Sequence, residues 1–479
     1  MRGNVRSGHR GPAGRKLVSI LWGLLLGAGP SPLSAQAALA ARDSLLARQV
    51  FKQLIEIRSE SGTEAVVQAA RGVAARLRDA GFPDRDVQVL AVGPRLANVI
   101  ATLRGTGKSG PPILLMAHLD VVPARRADWS VDPYTFLERD GWYYGRGTTD
   151  NKAGAAMLVA NLLRYRRDGL VPKRDVVVVL TGDEETGGEG IRAVMAARPD
   201  LRGAAFALNT DAGGGVLEGE REVSFGVQAS EKVYLSFGLE VTNRGGHSSQ
   251  PRPDNAIYQL AHGLTRLEAH RWPVVLNEVT RSFFQRYAAL ESGRVAADMR
   301  AVARIPPDPD AAERLSRSPY YNALMRTTCV ATRLEAGHAD NALPQTARAT
   351  VNCRILPNQP PDEVERTLAE VLAEPAIRLT RINQPVASPP SPLTEEVLGP
   401  IERLASRMWP GVPVIPTMST GATDGLVVRN AGVPVYGVSA IFADPSDERA
   451  HGRDERIAVR RFYDALEYWY RLVRDLAGG

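Results

Sequence analysis

Four short segments carry most of the side chains that could do chemistry. ILLMAHLDVVP sets His118 and Asp120 two residues apart just past an apolar run, and GWYYGRGTTDNKAG sets Asp150 in a glycine-rich turn. VVVVLTGDEETGG delivers Asp183, Glu184 and Glu185 after a second apolar run, and FALNTDAGGG ends a third on Asp211. Imidazole and carboxylate are the ligands of divalent transition metals. Residues i and i+2 share one side of an extended chain, so Asp120 can reach the far nitrogen of His118 and fix the tautomer of a metal-bound ring. The two oxygens of Asp150 can each take one cation. Three adjacent acids repel one another, and a metal is the economical compensation. Of two neighbouring glutamates, one can bind metal while the other faces a water as general base. Each segment also has a bland reading: a His beside a capping Asp, an N-cap at Asp150, a solvated acidic turn at 183–185. Three strand ends delivering His118, Glu184/Glu185 and Asp211 to one crevice are harder to assign to chance. The oxygen-rich set suits two zinc ions, or Co2+ or Mn2+. The glycines show no phosphate-loop pattern.

The elements around these segments must bring them together. From 43 to about 209 helix and strand alternate: helical spacing over 44–57, 64–80 and 153–165, and strand-like runs over 87–92, 98–103, 113–116, 176–180 and 206–208. A β-branched run without polar alternation, as at 176–180, predicts a strand buried on both faces of a mixed or parallel sheet. This is an α/β domain, and ligands gather beyond the strand ends of such sheets. A different order follows: strand 234–241, helix 255–268, a polar and helical insertion, strands 326–334 and 347–355, helix 361–372 and strand 377–382. That is the β-α-β-β-α-β order of a ferredoxin-like α+β unit. A Pro-rich linker from Gln384 precedes helix 394–408, strand 434–438 and helix 460–476, which resume the α/β style. The organisation expected is a leader over 1–35, an α/β part over 43–230, an inserted unit over 231–383 and the second α/β part over 394–479.

Residues 1–35 read as a signal peptide: a basic start, an apolar run from Leu17 to Ala28 too short to span a bilayer, then small residues with cleavage after Ala35 or Ala37. The leader holds five of the positive charges and no acid, so the net +6 falls to +1 without it. That removes the electrostatic case for nucleic acid. The leader has no Cys for a lipid anchor, so a secreted or periplasmic protein without a stable membrane anchor is expected. Of the seven His, His9 goes with the leader, and His262, His270 and His338 take no role. If strands 326–334 and 347–355 pair as a hairpin centred near 341, Cys329 comes roughly opposite Cys353. An oxidising compartment then permits a disulfide, though cross-strand geometry is often strained.

AHLDVVP, DPYTF, DGWYYGRGTTDNKAG, DEETGG, NTDAGG, GGHSSQP, NALPQTARATVNCRI, GATDG and AHGRDE occur in one order along nearly everything after the leader. In that set the chain resembles the di-zinc peptidase family of glutamate carboxypeptidase, aminoacylase, succinyl-diaminopimelate desuccinylase and carnosinase. It looks most like the carboxypeptidase S and N-fatty-acyl-amino-acid hydrolase branch. The resemblance implies a zinc-peptidase-like mixed sheet with an inserted lid and two metals bridged by Asp150. One would also bind His118 and Asp211, the other Glu185 and His451. Glu184 would be the general base that takes a proton from a water between the metals, with Asp120 behind His118. The peptide bond after Asp150 would be cis. His247 would donate to the oxyanion, in dimeric relatives from the neighbouring subunit, so a homodimer through the lid is implied. Asn341 and Arg354, with the loop at Gly421, would hold the substrate carboxylate, which the forked Arg guanidinium suits. The implied substrate is a small peptide or N-acyl amino acid. Ala117 stands where the family often has Gly, and Asp211 where it often has Glu; ligation survives both. The competing readings are a dipeptidase or aminoacylase of other specificity, a non-catalytic binding protein on the same fold, and a two-lobed solute-binding protein, which would not need the metal set.

Overall fold

The apolar run at 176–180 becomes the strand Val176–Thr181, and all of its residues are buried. Alternate side chains enter opposite cores. Val178 and Leu180 pack with the helices Lys152–Arg167 and Val459–Ala477, whereas Val177 and Val179 pack with Ile191, Val194 and Met195 of the helix Glu189–Ala197. A period of two with apolar groups at both phases leaves no polar alternation to see. The neighbouring strand Ile113–His118 divides the same way, with Leu115 on one side and Leu114 and Met116 on the other.

A computed structural model describes residues 32–478, with side chains from residue 41 onward. The leader expected over 1–35, with His9, lies outside the described residues except for its last four, which begin the helix Pro32–Glu56. That helix starts earlier than the expected 44. Residues Ser44–Gly479 make one compact unit. Its larger sheet has ten strands, in the order Val87–Ala91, Ala97–Leu103, Val176–Thr181, Ile113–His118, Phe206–Asn209, Val435–Gly437, Arg221–Glu231, Gly214–Glu218 and Phe442–Ala443, with Val414–Ser419 parallel to Arg221–Glu231. Four adjacent strands, from Val176–Thr181 across to Val435–Gly437, run parallel, so their carboxyl ends open on one edge.

The second sheet is antiparallel, ordered Thr328–Ala336, Thr346–Ile355, Val233–Thr242 and Arg378–Arg381. The helices Ala256–Ala269 and Pro361–Leu372 bury Leu260, Leu267, Val364 and Leu368 against Leu235, Phe237 and Val351. This is the expected ferredoxin-like order. The junction is one residue long: Glu231 ends a strand of the large sheet and Val233 begins one of the small sheet. Between them Lys232 is fully buried and donates Nζ–H to Arg326 O at 2.7 Å, and burial pushes its ammonium down to about 7. Arg326 and Thr327 are drawn into this junction, which is why the next strand begins at Thr328 instead of 326. The insertion forms four helices, Glu278–Tyr287, Gly293–Val302, Pro309–Leu315 and Pro319–Met325, whose Phe283, Phe284 and Met299 share a core with Ile415 and Met418 of the large sheet. Cys329 stands directly opposite Cys353 and the two are disulfide-bonded. The edge strand Thr328–Ala336 leaves Val330 and Leu334 exposed. No helix among the described residues is long and apolar enough to cross a membrane.

Candidate metal centre

Strand ends build the site. His118 is the last residue of its strand and is buried, Glu184 and Glu185 follow the strand Val176–Thr181, and Asp211 follows Phe206–Asn209. Asp150 enters from the turn before the helix Lys152–Arg167, and His451 from a late loop. The Asp150–Asn151 peptide bond is cis. The Asp150 carboxylate reaches both imidazoles: Oδ1 lies 2.9 Å from His118 Nε2 and Oδ2 lies 3.0 Å from His451 Nε2. Asp211 Oδ1 is 3.3 Å from His118 Nε2, and Glu185 Oε2 is 3.0 Å from His451 Nε2. Ligand atoms of His118, Glu184 and Asp211, and of His118, Asp150 and Glu185, lie within 4.8 Å of one another. Five of the expected residues thus meet with one carboxylate between two rings, and Glu184 lies beside them.

The charges of this cluster do not balance on their own. Without added positive charge, burial and then the neighbouring Asp211 push the Glu184 carboxyl up to about 10, and burial raises that of Asp211 to about 6. Although burial opposes it, the Asp211, Asp120 and Asp150 carboxylates hold the His118 imidazole well above its usual range. Hydrogen bonds to Asp150 and Glu185 raise His451 to about 10. Four carboxylates crowding two imidazoles in a mostly buried space call for added positive charge, so the donor set fits a pair of divalent cations.

One contact differs in detail from the expectation. Asp120 was expected to orient His118 through its carboxylate. The ring Nδ1 is instead nearer the Asp120 backbone oxygen, at 3.0 Å, than its Oδ1, at 3.6 Å. The carboxylate is occupied elsewhere: it accepts the amide N–H of Glu184 and of Glu185, each at 3.2 Å, and a hydrogen bond from Ser61. Asp120 therefore braces both the ring and the acidic turn. Asp183 keeps the bland role, accepting from the amides of Glu189 (2.6 Å) and Gly190 (2.8 Å) at the start of the next helix. Asp150 does not cap its helix; Asn151 stands at that position, and its side chain bonds Thr210. Gly154 makes room for that bond, since a Cβ there would lie 2.1 Å from Thr210 Oγ1.

Arg354 and the loop at Gly421 come together. The Arg354 Nη1–H donates to Thr420 O at 3.2 Å, its Nε–H to Asn352 Oδ1 at 3.2 Å, and the guanidinium stacks 4.6 Å over Tyr234. His247 and Asn341 neighbour one another across the short pairing of Gly246–His247 with Ala342–Leu343, and both are exposed. Among the described residues no hydrogen bond or ion pair joins either to the carboxylate cluster.

Sequence reasoning missed three buried groups here. Glu455 accepts from the amides of Gly147, Thr149 and Asp150 and pairs with Arg146. Glu231 pairs with Arg429 at 2.5 Å and accepts the Thr423 amide, which anchors the loop at Gly421. Asp424 accepts from Thr181 Oγ1 at 2.5 Å. Asp424 and Glu455 lie within GATDG and AHGRDE, a signal that could have drawn notice to them, whereas nothing local marks Glu231. A cleft of about 850 Å³ opens beside Asp150 and Asp211, lined by Trp142, Leu217, Ile441 and Phe442 among others.

The sequence pattern of peptidase family M20/M25/M40 is matched over residues 114–475. The chain is 30% identical over 396 residues to the human N-fatty-acyl-amino acid synthase/hydrolase PM20D1, covering 78% of this chain and 76% of that one. It is 27% identical over 390 residues to a probable carboxypeptidase S-like 2 of Dictyostelium discoideum, covering 79% and 74%. Its fold matches that of human carnosine dipeptidase 1 with a TM-score of 0.67 at 17% identity, over 94% of this chain and all of the other.

Proposed function

Because the chain belongs to peptidase family M20/M25/M40, a family of metal-dependent amide hydrolases, we propose that it is a dinuclear zinc enzyme that releases an amino acid with a free carboxylate from an N-acyl or peptidyl amide. The observation that carries this is the Asp150 carboxylate, with one oxygen toward each imidazole and Asp211 and Glu185 flanking it. Asp150, His118 and Asp211 would hold one ion, and Asp150, Glu185 and His451 the other. Bound there, the pair supplies Lewis acidity and a water of lowered pKa.

The chain's own residues do the rest. Glu184, which lies beside His118 and Asp211 and whose carboxylate takes part in no hydrogen bond among the described residues, takes the proton of the attacking water and passes it to the leaving nitrogen. Arg354, with the loop at Gly421, grips the carboxylate of the substrate and so aligns the scissile carbonyl. His247, with Asn341 beside it, would donate to the oxyanion from a partner subunit or after closure of the small-sheet unit, which acts as a lid. The exposed edge strand with Val330 and Leu334 supports a homodimer through that unit. The disulfide and the basic leader support a secreted or periplasmic protein. The N-acyl amino acid class is favoured among substrates by the relative at 30% identity.

Metal analysis and turnover of the Glu184→Gln variant test the reading. Variant and wild type should each hold about two metals per chain, and the variant should lose at least 100-fold in kcat on an N-acyl amino acid. Activity within tenfold of wild type would rule out Glu184 as the base.

A further inference from the structure

Arg146 and Glu455 lie behind the cluster and touch no candidate ligand side chain, yet they join the backbones of two of them. Glu455 is fully buried. Its Oε1 accepts the amides of Thr149 (2.7 Å) and Asp150 (3.1 Å) and the Thr149 hydroxyl (2.9 Å), while Oε2 accepts the Gly147 amide (3.0 Å) and Arg146 Nη1 (2.7 Å). The other amine of Arg146 donates to the carbonyls of His451 (3.3 Å) and Gly452 (3.0 Å). One guanidinium therefore spans from the carboxylate that holds the Asp150 turn to the carbonyl of His451 itself. A buried ion pair is seldom the most stable filling for a core, and its best-attested use is to fix register.

The register that needs fixing is that of His451. Its backbone sits in the left-handed region, at φ +61°, which costs a non-glycine residue about 1 kcal/mol or more. Its side chain is 53% exposed, so packing does not place it. His118, by contrast, is 1% exposed at the end of a central strand. The two candidate ion sites thus differ in what holds them: the sheet fixes His118, while polar contacts fix His451.

We propose that the Arg146–Glu455 pair is a positioning clamp that sets the reach between Asp150 and His451, and so governs affinity for the ion held by Glu185 and His451 over that held by His118 and Asp211. This rests on the dinuclear reading above. The test is calorimetric titration of the metal-free full chain with Zn2+, for wild type, Glu455→Gln and Arg146→Lys. Arg146→Lys keeps a charge beside Glu455 but lacks the fork that reaches two carbonyls. Both variants should weaken roughly 10- to 100-fold the Zn2+ binding event that a His451→Ala variant lacks, with the other event within about threefold of wild type. If Glu455→Gln does not fold, Arg146→Lys decides alone. Equal weakening of both ions, which general loosening of the fold would produce, or no change in either, overturns the clamp. A wild type that takes up fewer than two ions overturns the dinuclear reading instead, and the inference with it.

Discussion

Replacing Arg354 by alanine removes a half-buried guanidinium whose remaining capacity can be counted. Of its five N–H groups, one on Nη1 is spent on Thr420 O and that on Nε on Asn352 Oδ1. The second Nη1–H and both on Nη2 remain, which is the paired edge that meets a carboxylate bidentately. Hydrogen bonds to a charged partner contribute about 1.5–3 kcal/mol each. Solvent around a half-buried group reduces this, so about 3 kcal/mol for the pair is a fair expectation, or roughly 100-fold in kcat/KM. The assay compares an N-acyl amino acid with its C-terminal amide. Arg354→Ala should lose about 100-fold on the free acid and less than about fivefold on the amide, since the lost interaction is with the carboxylate alone. Arg354→Lys should fall between, keeping charge but not the fork or the stacking on Tyr234. Equal losses on acid and amide would refute the assignment and make Arg354 a support for the loop at Gly421.

The metal-free protein should lose stability between pH 4 and 8 through Asp424. Burial pushes its carboxyl up to about 7, against about 3.9 when unfolded. The folded state binds this proton more tightly, so the stabilisation is complete below the unfolded value and is lost as pH rises through about 7, to a limit of roughly 4 kcal/mol. Asp424→Asn should therefore gain on wild type in thermal midpoint from pH 5 to pH 8, and a difference flat with pH would count against the burial argument. The pair Glu231–Arg429, each 1% exposed, gives a second test by denaturant unfolding. Arg429→Met strands a buried carboxylate and should cost about 3–5 kcal/mol, while Glu231→Gln with Arg429→Met should recover much of that. A double variant as unstable as the two single losses combined would show that the pair does not act as a unit.

The parts legible in the sequence share one property: their signal is local. The run at 176–180 is apolar at every position because both faces of that strand are buried, and the acids after it stand out against it. His118 and Asp211 mark strand ends in the same way. The ferredoxin-like order was readable because its alternation of strand and helix is also local, and the hairpin register put Cys329 opposite Cys353 for the same reason. The chain position of the first helix was less readable, because helical spacing does not stop at its amino end.

What could not be read is pairing at long range. Arg146 and Glu455 are 309 residues apart, Glu231 and Arg429 198, and charged residues in sequence look like surface until a partner buries them. The acidic turn shows why composition alone cannot divide roles. Asp183, Glu184 and Glu185 are chemically alike and adjacent, yet Asp183 is taken by the amides of Glu189 and Gly190, Glu185 by His451, and Glu184 by neither. The division follows from which way each side chain leaves a turn whose amides Asp120 holds from another strand. The role proposed for Glu184 needs a carboxylate without a permanent partner, and of the three acids in this turn Asp183 and Glu185 do not meet that condition, because each already has one.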